Sequence, residues 1–123
     1  MNAIVPTLRI HDTAAAKKFY VEGLGFRVDF EWRHEPGFPV FMQVSRDGMR
    51  LYLSEHALDC DGHGLVYLYV PNVDAWQAEL IGRGVLADAP PRDQPWGTRE
   101  LQIEDPDGNR LRICTVLSGG DEG

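Results

Sequence analysis

Two sets of side chains in this sequence have the types and spacing to do chemistry at a bound ion or a nucleophile. Glu55, His56, Asp59, Cys60, Asp61 and His63 crowd metal-donor types into one short stretch, a composition that could hold zinc or nickel. The same residues also suit an ordinary polar connection, where His, Asp and Gly are common. Cys114 with His56 as its base would make a nucleophilic pair, although a strand cysteine is commonly a buried packing group. His11 and His34 have no spaced partner and read as surface residues. Gly23, Gly25, Gly82 and Gly84 lack the strand-to-helix order and the following Lys-Ser or Lys-Thr of a phosphate loop, so no cofactor is called for.

Aromatic residues form a third set, suited to binding and not to bond making. Phe30, Trp32 and Phe38 surround a hairpin in the first half, and Trp96 sits in the proline-rich stretch from Pro90 to Pro95. Planar rings stacked on such side chains gain about 0.5–1.5 kcal/mol each beyond area burial, and a ligand cation over a ring face adds a similar amount. Asp29, Glu31, Glu35 and Glu100 are acids in the same segments that could receive ligand ammonium groups. A lone Trp in a long loop also commonly anchors that loop on the core, and each acid read alone is a solvated charge.

These groups must be positioned by a single folded unit, because 123 residues suffice for one core and not for two. Apolar residues make up 43% and charged residues 25%, which excludes collagen-like, coiled-coil and disordered classes. A net charge of −7 repels a phosphate backbone, excludes nucleic acid as the expected partner and favours cationic small molecules. No apolar run approaches the roughly 18 residues of a membrane helix, and the opening MNAIVPTLRIHD lacks a basic segment and a long apolar run. A soluble cytoplasmic protein with no membrane partner is expected, and Cys60 and Cys114, without CxxC spacing, are expected as free thiols.

A shift of 60 residues superimposes one half of the chain on the other. Asp47-Gly48-Met49-Arg50-Leu51-Tyr52-Leu53 aligns with Asp107-Gly108-Asn109-Arg110-Leu111-Arg112-Ile113, four of the seven being identical. Leu8 falls on Leu68, Ile10 on Val70, Asp12 on Asn72, Gly37 on Gly97 and Phe41 on Leu101. Each half opens with a strand pattern, Ile4 to Ile10 and Leu65 to Val70, followed by a helix N-cap type, Asp12 and Asn72. Helices are predicted from Thr13 to about Glu22 and from Val73 to about Ile81. Three strands follow in each half: Phe26 to Trp32, Val40 to Ser45 and Arg50 to Glu55, then Val85 to Ala89, Thr98 to Glu104 and Arg110 to Val116. The fold class is therefore α+β, two βαβββ modules of about residues 3–57 and 64–116 in one domain of residues 1–117, with a flexible tail at 118–123.

One helix covers one face of such a sheet, so the other face must find company or stay wet. Period-two alternation sends Leu51, Leu53, Leu111 and Ile113 under the helices and Tyr52, Ser54, His56, Arg110, Arg112 and Cys114 to the concave side. The strand at Leu65 is apolar on both faces, which predicts a central position in its sheet.

The duplicated pattern, the segment Phe19, Tyr20, Leu24, Gly25, Phe26, and the run Asp105-Pro106-Asp107-Gly108-Asn109 resemble the vicinal-oxygen-chelate superfamily. That group includes glyoxalase I, extradiol dioxygenases, fosfomycin-resistance proteins and bleomycin-resistance proteins. Val5-Pro6-Thr7-Leu8 and the run from Asp93 through Gln94-Pro95-Trp96-Gly97-Thr98-Arg99 to Glu100 are most similar to the bleomycin-resistance branch. The resemblance spans residues 3–116. It implies curved mixed sheets around a concave cavity, a homodimer with grooves at the subunit boundary, and exchange of the first strand at Pro6, a residue that also suits an edge position on its own account. It places the metal-donor positions of the enzymatic members on Val5, Tyr52, Leu65 and Arg112, residue types that do not hold a divalent ion, so no metal is called for at that site.

The function this implies is non-catalytic sequestration of a cationic, partly aromatic antibiotic of the bleomycin type. Trp96, Trp32, Phe38 and Phe30 would stack, Asp29, Glu31 and Glu100 would balance charge, and Tyr52, Tyr67 and Arg112 would wall the former metal cavity. Two alternatives stay open: a metal-dependent lyase or dioxygenase using Glu55, His56 and Glu104, and a binding module for another small metabolite.

Overall fold

The first-turn N–H groups of a helix lack helical partners, and Asp12 and Asn72 supply them. Asp12, extended at φ −141°, accepts from the Ala14 N–H at 2.9 Å. Asn72, at φ −148°, accepts from Ala75 at 3.1 Å. These caps open α1 (Thr13–Lys17) and α2 (Val73–Gly82). The first helix keeps going to Gly23, as predicted in length, but widens at Lys18–Gly23 into a π-helical turn in which the Leu24 N–H reaches the Phe19 carbonyl at 2.9 Å.

The structure, a computed structural model, describes residues 2–117, so the tail expected at 118–123 lies outside the described residues. Around the helices run β1 (Thr7–Arg9), β2 (Arg27–Trp32), β3 (Phe41–Arg46), β4 (Met49–Ser54), β5 (Leu65–Tyr69), β6 (Arg92–Asp93), β7 (Thr98–Glu104) and β8 (Arg110–Val116). They form two four-stranded mixed sheets, in the order β1-β4-β3-β2 and β5-β8-β7-β6. In each, the outer strand before the helix runs parallel to the last strand, with Thr7 opposite Tyr52 and Tyr67 opposite Arg112. The remaining pairs are antiparallel. Positive φ at Asp47 (51°) and Gly48 (82°) makes the tight β3–β4 turn, a conformation that the Asp-Gly dipeptide adopts readily.

Alternation decides which face of each sheet is dry. Leu51, Leu53, Leu111 and Ile113 are buried, as their period-two pattern requires. They join Tyr20, Leu24 and Phe26 from the first module and Val73, Trp76 and Leu80 from α2 in one continuous apolar cluster. The helix side of both modules therefore shares a single core, and the opposite face of each sheet is left open. The modules are also tied by polar bonds. Tyr20 donates to Asp105 at 2.7 Å, and Arg46, its guanidinium 4.0 Å from the Trp76 ring centroid, grips both oxygens of Glu79.

Three local expectations are corrected. The strand at Leu65 lies at a sheet edge and not in its centre. Its outer face, Leu65, Tyr67 and Tyr69, is apolar enough to have suggested burial, yet it is exposed in the single chain. Val85 to Ala89 is not a strand, because Pro90 and Pro91 offer no N–H to a ladder; one bond, from Asp88 N–H to the Gln102 carbonyl at 3.3 Å, survives, and pairing resumes at Arg92 and Asp93. Finally, Leu101 pairs with Ile113 as Met42 pairs with Leu53, so the counterpart of Leu101 is Met42 and not Phe41. Between equivalent paired positions, Glu104 and Arg110 enclose five residues where Ser45 and Arg50 enclose four, which changes the repeat spacing locally from 60 to 59. No helix among the described residues is long and apolar enough to cross a membrane.

Candidate functional site

The open face of the second sheet is built from alternate residues of three strands. Thr98, Glu100 and Gln102 on β7 face Val116, Cys114 and Arg112 on β8, and Tyr67 on β5 lies opposite Arg112. The loop after β6 folds Trp96 onto this surface. Its indole N–H donates to Glu100 Oε2 at 2.9 Å, and the Thr98 hydroxyl donates to the same oxygen at 2.6 Å. Glu100 is thereby 9% exposed while the Trp96 ring remains 62% exposed. The indole nitrogen thus anchors the loop, while the ring face stays exposed.

Beside the tryptophan is a hollow of about 440 Å³, lined among others by Trp96, Glu100, Gln102, Arg112, Arg92 and Pro90. Arg112 donates from Nε to Gln102 Oε1 at 2.9 Å and from Nη1 to the Tyr67 hydroxyl at 2.6 Å. Gln102 in turn donates from Nε2 to Asp88 at 3.0 Å. Among the described residues, no carboxylate lies within ion-pair distance of Arg112, and none of the ion pairs includes Glu100. Of the charged residues lining the hollow, Asp88, Arg92, Glu100 and Arg112, the Glu100 carboxylate is held by neutral donors and the Arg112 guanidinium by neutral acceptors.

The first sheet repeats the plan with different side chains. Gln43 donates to Asp29 at 2.9 Å, as Gln102 does to Asp88. Both members of these pairs are separated by 59 residues, a duplication that could have been found from spacing alone. In place of the cation this sheet carries rings: Phe41 and Tyr52 centroids are 4.8 Å apart, and Phe30 lies 6.4 Å from Tyr52. At the hairpin end His34 is exposed, as expected of a surface residue, and lies between Trp32 and Phe38, with ring centroids 6.3 and 5.4 Å away and planes tilted by 55° and 56°. A second hollow, of about 610 Å³, lies on this sheet between Arg27, Asp29, Gln43, Ser45 and Arg50. It shares no lining residue with the hollow on the other sheet.

Asp29 and Glu31 are separated by a β-bulge. The register passes from Val28 opposite Val44 to Phe30 opposite Gln43, leaving Asp29 as the extra residue. Asp29 consequently turns to the open face with Phe30, where Gln43, Ser45 and Arg27 donate to it and hold its carboxyl below the ordinary range. Glu31 lies opposite buried Met42 on the helix side. There it pairs with Lys17 and Arg33, which lower its pKa. It is thus not beside the aromatic face, and Asp29 is already saturated by donors of its own chain.

The catalytic candidates are placed apart. Cys114 is fully buried, and burial, reinforced by the Glu100 charge, pushes its thiol up to about 12. Such a thiol is protonated at neutral pH and is not a nucleophile. His56 follows β4 of the other sheet, its N–H on Ser54 Oγ. Glu55 accepts the Val40 N–H at 2.8 Å, while Glu104 ends β7 opposite Arg110. Among the described residues, no three His, Cys, Asp or Glu side chains converge as a metal site would need. At the four positions where the resemblance would put metal donors, Val5 and Leu65 carry no donor atom and Arg112 places a fixed guanidinium. These residues do not fit a divalent ion.

Paired βαβββ modules, each with a mixed four-stranded sheet open on one face, define the class of fold. A family model described as "Glyoxalase superfamily protein" matches residues 1–120, and the chain belongs to that superfamily. Among solved structures it is similar to a glyoxalase/bleomycin resistance protein from Streptomyces sp. CB03234, at 31% identity and a TM-score of 0.68 over 89% of this chain and 96% of that one. It is also similar to TnmS3, an antibiotic binding protein from the same organism, at 28% identity and a TM-score of 0.74 over 94% and 97%. A bleomycin-binding protein complexed with bleomycin shares the fold at 22% identity and a TM-score of 0.74, over 94% of this chain and 98% of that one. No curated protein sequence matches the chain.

Proposed function

We propose that this protein binds a partly aromatic, cationic antibiotic of the bleomycin type in one-to-one fashion and withholds it from its target without covalent change. The observation that carries this reading is the Trp96 ring, pinned through its nitrogen to the buried Glu100 carboxylate at the edge of a hollow of about 440 Å³. A fixed ring offers stacking area at little entropic cost, and an anion held by neutral donors keeps its charge for a ligand cation. The likeness to an antibiotic binding protein at 28% identity supports the same direction.

The working unit in this proposal is a homodimer in the cytoplasm. Phe30, Trp32, Leu65, Tyr67 and Tyr69 leave an apolar surface exposed on each sheet of the single chain, and the two hollows are separate within it. A second copy that sets its first sheet against the second sheet of this one would cover both faces and join the hollows into grooves. Titration with bleomycin, following tryptophan emission, tests the binding; light scattering after size exclusion tests the dimer. Saturable emission change at micromolar ligand with a mass of two chains is the expected result, and a monomer with no emission change overturns it.

A further inference from the structure

We infer that the hollow beside Trp96 has a second recognition element of opposite sign at its wall: Arg112, which lines it, and Tyr67, bonded to Arg112, form a donor site for an anionic or strongly accepting oxygen of the ligand. This rests on the sequestration reading above and goes beyond it, because that reading calls only for a cation.

A guanidinium has five N–H donors in a fixed plane. In Arg112 one is spent on Gln102 and one on Tyr67, and no described carboxylate neutralises the charge. Both acceptors are neutral, so the side chain is fixed in direction without losing its field. Gln102 is itself oriented by Asp88, which accepts from its amide at 3.0 Å. This leaves the amide oxygen turned toward Arg112. The Tyr67 oxygen accepts from Arg112, so its own proton is free to point outward, and the cation behind it makes that proton a stronger donor. The hollow thus has Glu100 to receive positive charge and Arg112 to donate hydrogen bonds, with the Tyr67 hydroxyl bonded to Arg112 beside it.

The first sheet shows that the arrangement is particular to this side. At the equivalent strand positions it has Thr7, Tyr52 and Gln43, with no cation among them. Charge-assisted bonds from a guanidinium are strongest to planar two-oxygen groups. The ligand class is therefore an aromatic that carries at one edge a carboxylate, or a sulfonate presenting two of its oxygens, whether or not it also bears an amine.

Two fluorescent probes that differ in the anionic group alone test this: 1-anilinonaphthalene-8-sulfonate and uncharged N-phenyl-1-naphthylamine. Arg112→Met is expected to weaken the sulfonate about tenfold, the effect of one lost charge-assisted interaction, and to leave the uncharged probe within about twofold. Tyr67→Phe, a change at a half-exposed residue that folding tolerates, is expected to weaken the sulfonate by a smaller factor in the same selective way. Equal weakening of both probes, or sulfonate binding that responds to Arg50→Met on the other sheet and not to Arg112→Met, overturns the donor site. If wild-type protein binds the uncharged probe alone, or neither probe, the donor site falls, while sequestration stands or falls with the bleomycin titration.

Discussion

Asp105 accepts the phenolic proton of Tyr20 at 2.7 Å, joining the first module's helix to the last turn of the second. The same carboxylate accepts from the N–H groups of Asp107 and Asn109 and from the Asn109 amide. It is the hub on which the turn is built. Tyr20→Phe is expected to cost about 1–2 kcal/mol, read as a fall of several degrees in Tm, because one buried acceptor loses one of several donors. Asp105→Ala strands the buried donors themselves and is expected to cost more, about 3 kcal/mol.

Alkaline stability should fall in two stages. Burial raises Tyr20 well above its ordinary 10.0 and Cys114 from 9.0 to about 12. Below pH 9 both groups are protonated in the folded and unfolded chains and contribute no pH dependence. Above it the unfolded chain releases the Cys114 proton first, then the Tyr20 proton above 10, and each release favours unfolding. Denaturant titrations from pH 8 to 11 should show stability declining from pH 9, and Cys114→Ala should remove the earlier part of the decline.

The two thiols should differ in reactivity. Cys114 is buried and protonated, whereas Cys60 is partly exposed in the connection between modules. Iodoacetamide at pH 8 is expected to add one carbamidomethyl group to native protein and two after denaturation, measured by intact mass. Two additions under native conditions would contradict the burial of Cys114.

Arg46 holds the two modules together through shape as much as charge. It meets Glu79 at 2.8 and 2.9 Å through two nitrogens, donates to the Leu24 carbonyl at 2.8 Å and stacks on Trp76. Lysine keeps the charge but not the fork, so Arg46→Lys should lower Tm by about 3–6 °C, nearly as much as Arg46→Met. Glu79 has its pKa lowered chiefly by Arg46, so its contribution is present above pH 4.5 and is lost as the pH falls below that value. Glu79→Gln should flatten that acid limb, with a small amplitude because the Glu79 carboxylate is still reached by water.

Trp96→Ala removes an exposed ring and one of two donors to the buried Glu100 carboxylate. It should lower Tm by a few degrees while abolishing most of the bleomycin-induced emission change. Glu100→Ala frees the indole N–H, and the expected signature is a red shift of unliganded emission together with weaker binding.

Much of this fold was legible in the chain itself, because its signals are local. Asp12 and Asn72 cap helices wherever they precede an amphipathic segment, Asp47-Gly48 turns tightly by its own backbone preference, and alternation at Leu51 and Leu111 assigns faces without knowledge of neighbours. The superfamily, too, could be recognised from short runs such as Asp105 to Asn109. What local signals do not carry is how strands meet. One inserted residue at Asp29 sends that acid to the open face and leaves Glu31 on the other, a bulge that depends on pairing with β3 and leaves no mark in β2. The edge position of β5 has the same origin: an apolar outer face means cover, and only the assembled sheet shows that one chain does not provide it. Glu100 and Arg112 came to line one hollow through the register of β7 and β8, because hydrogen-bond partners far apart in sequence decide how each charge is held.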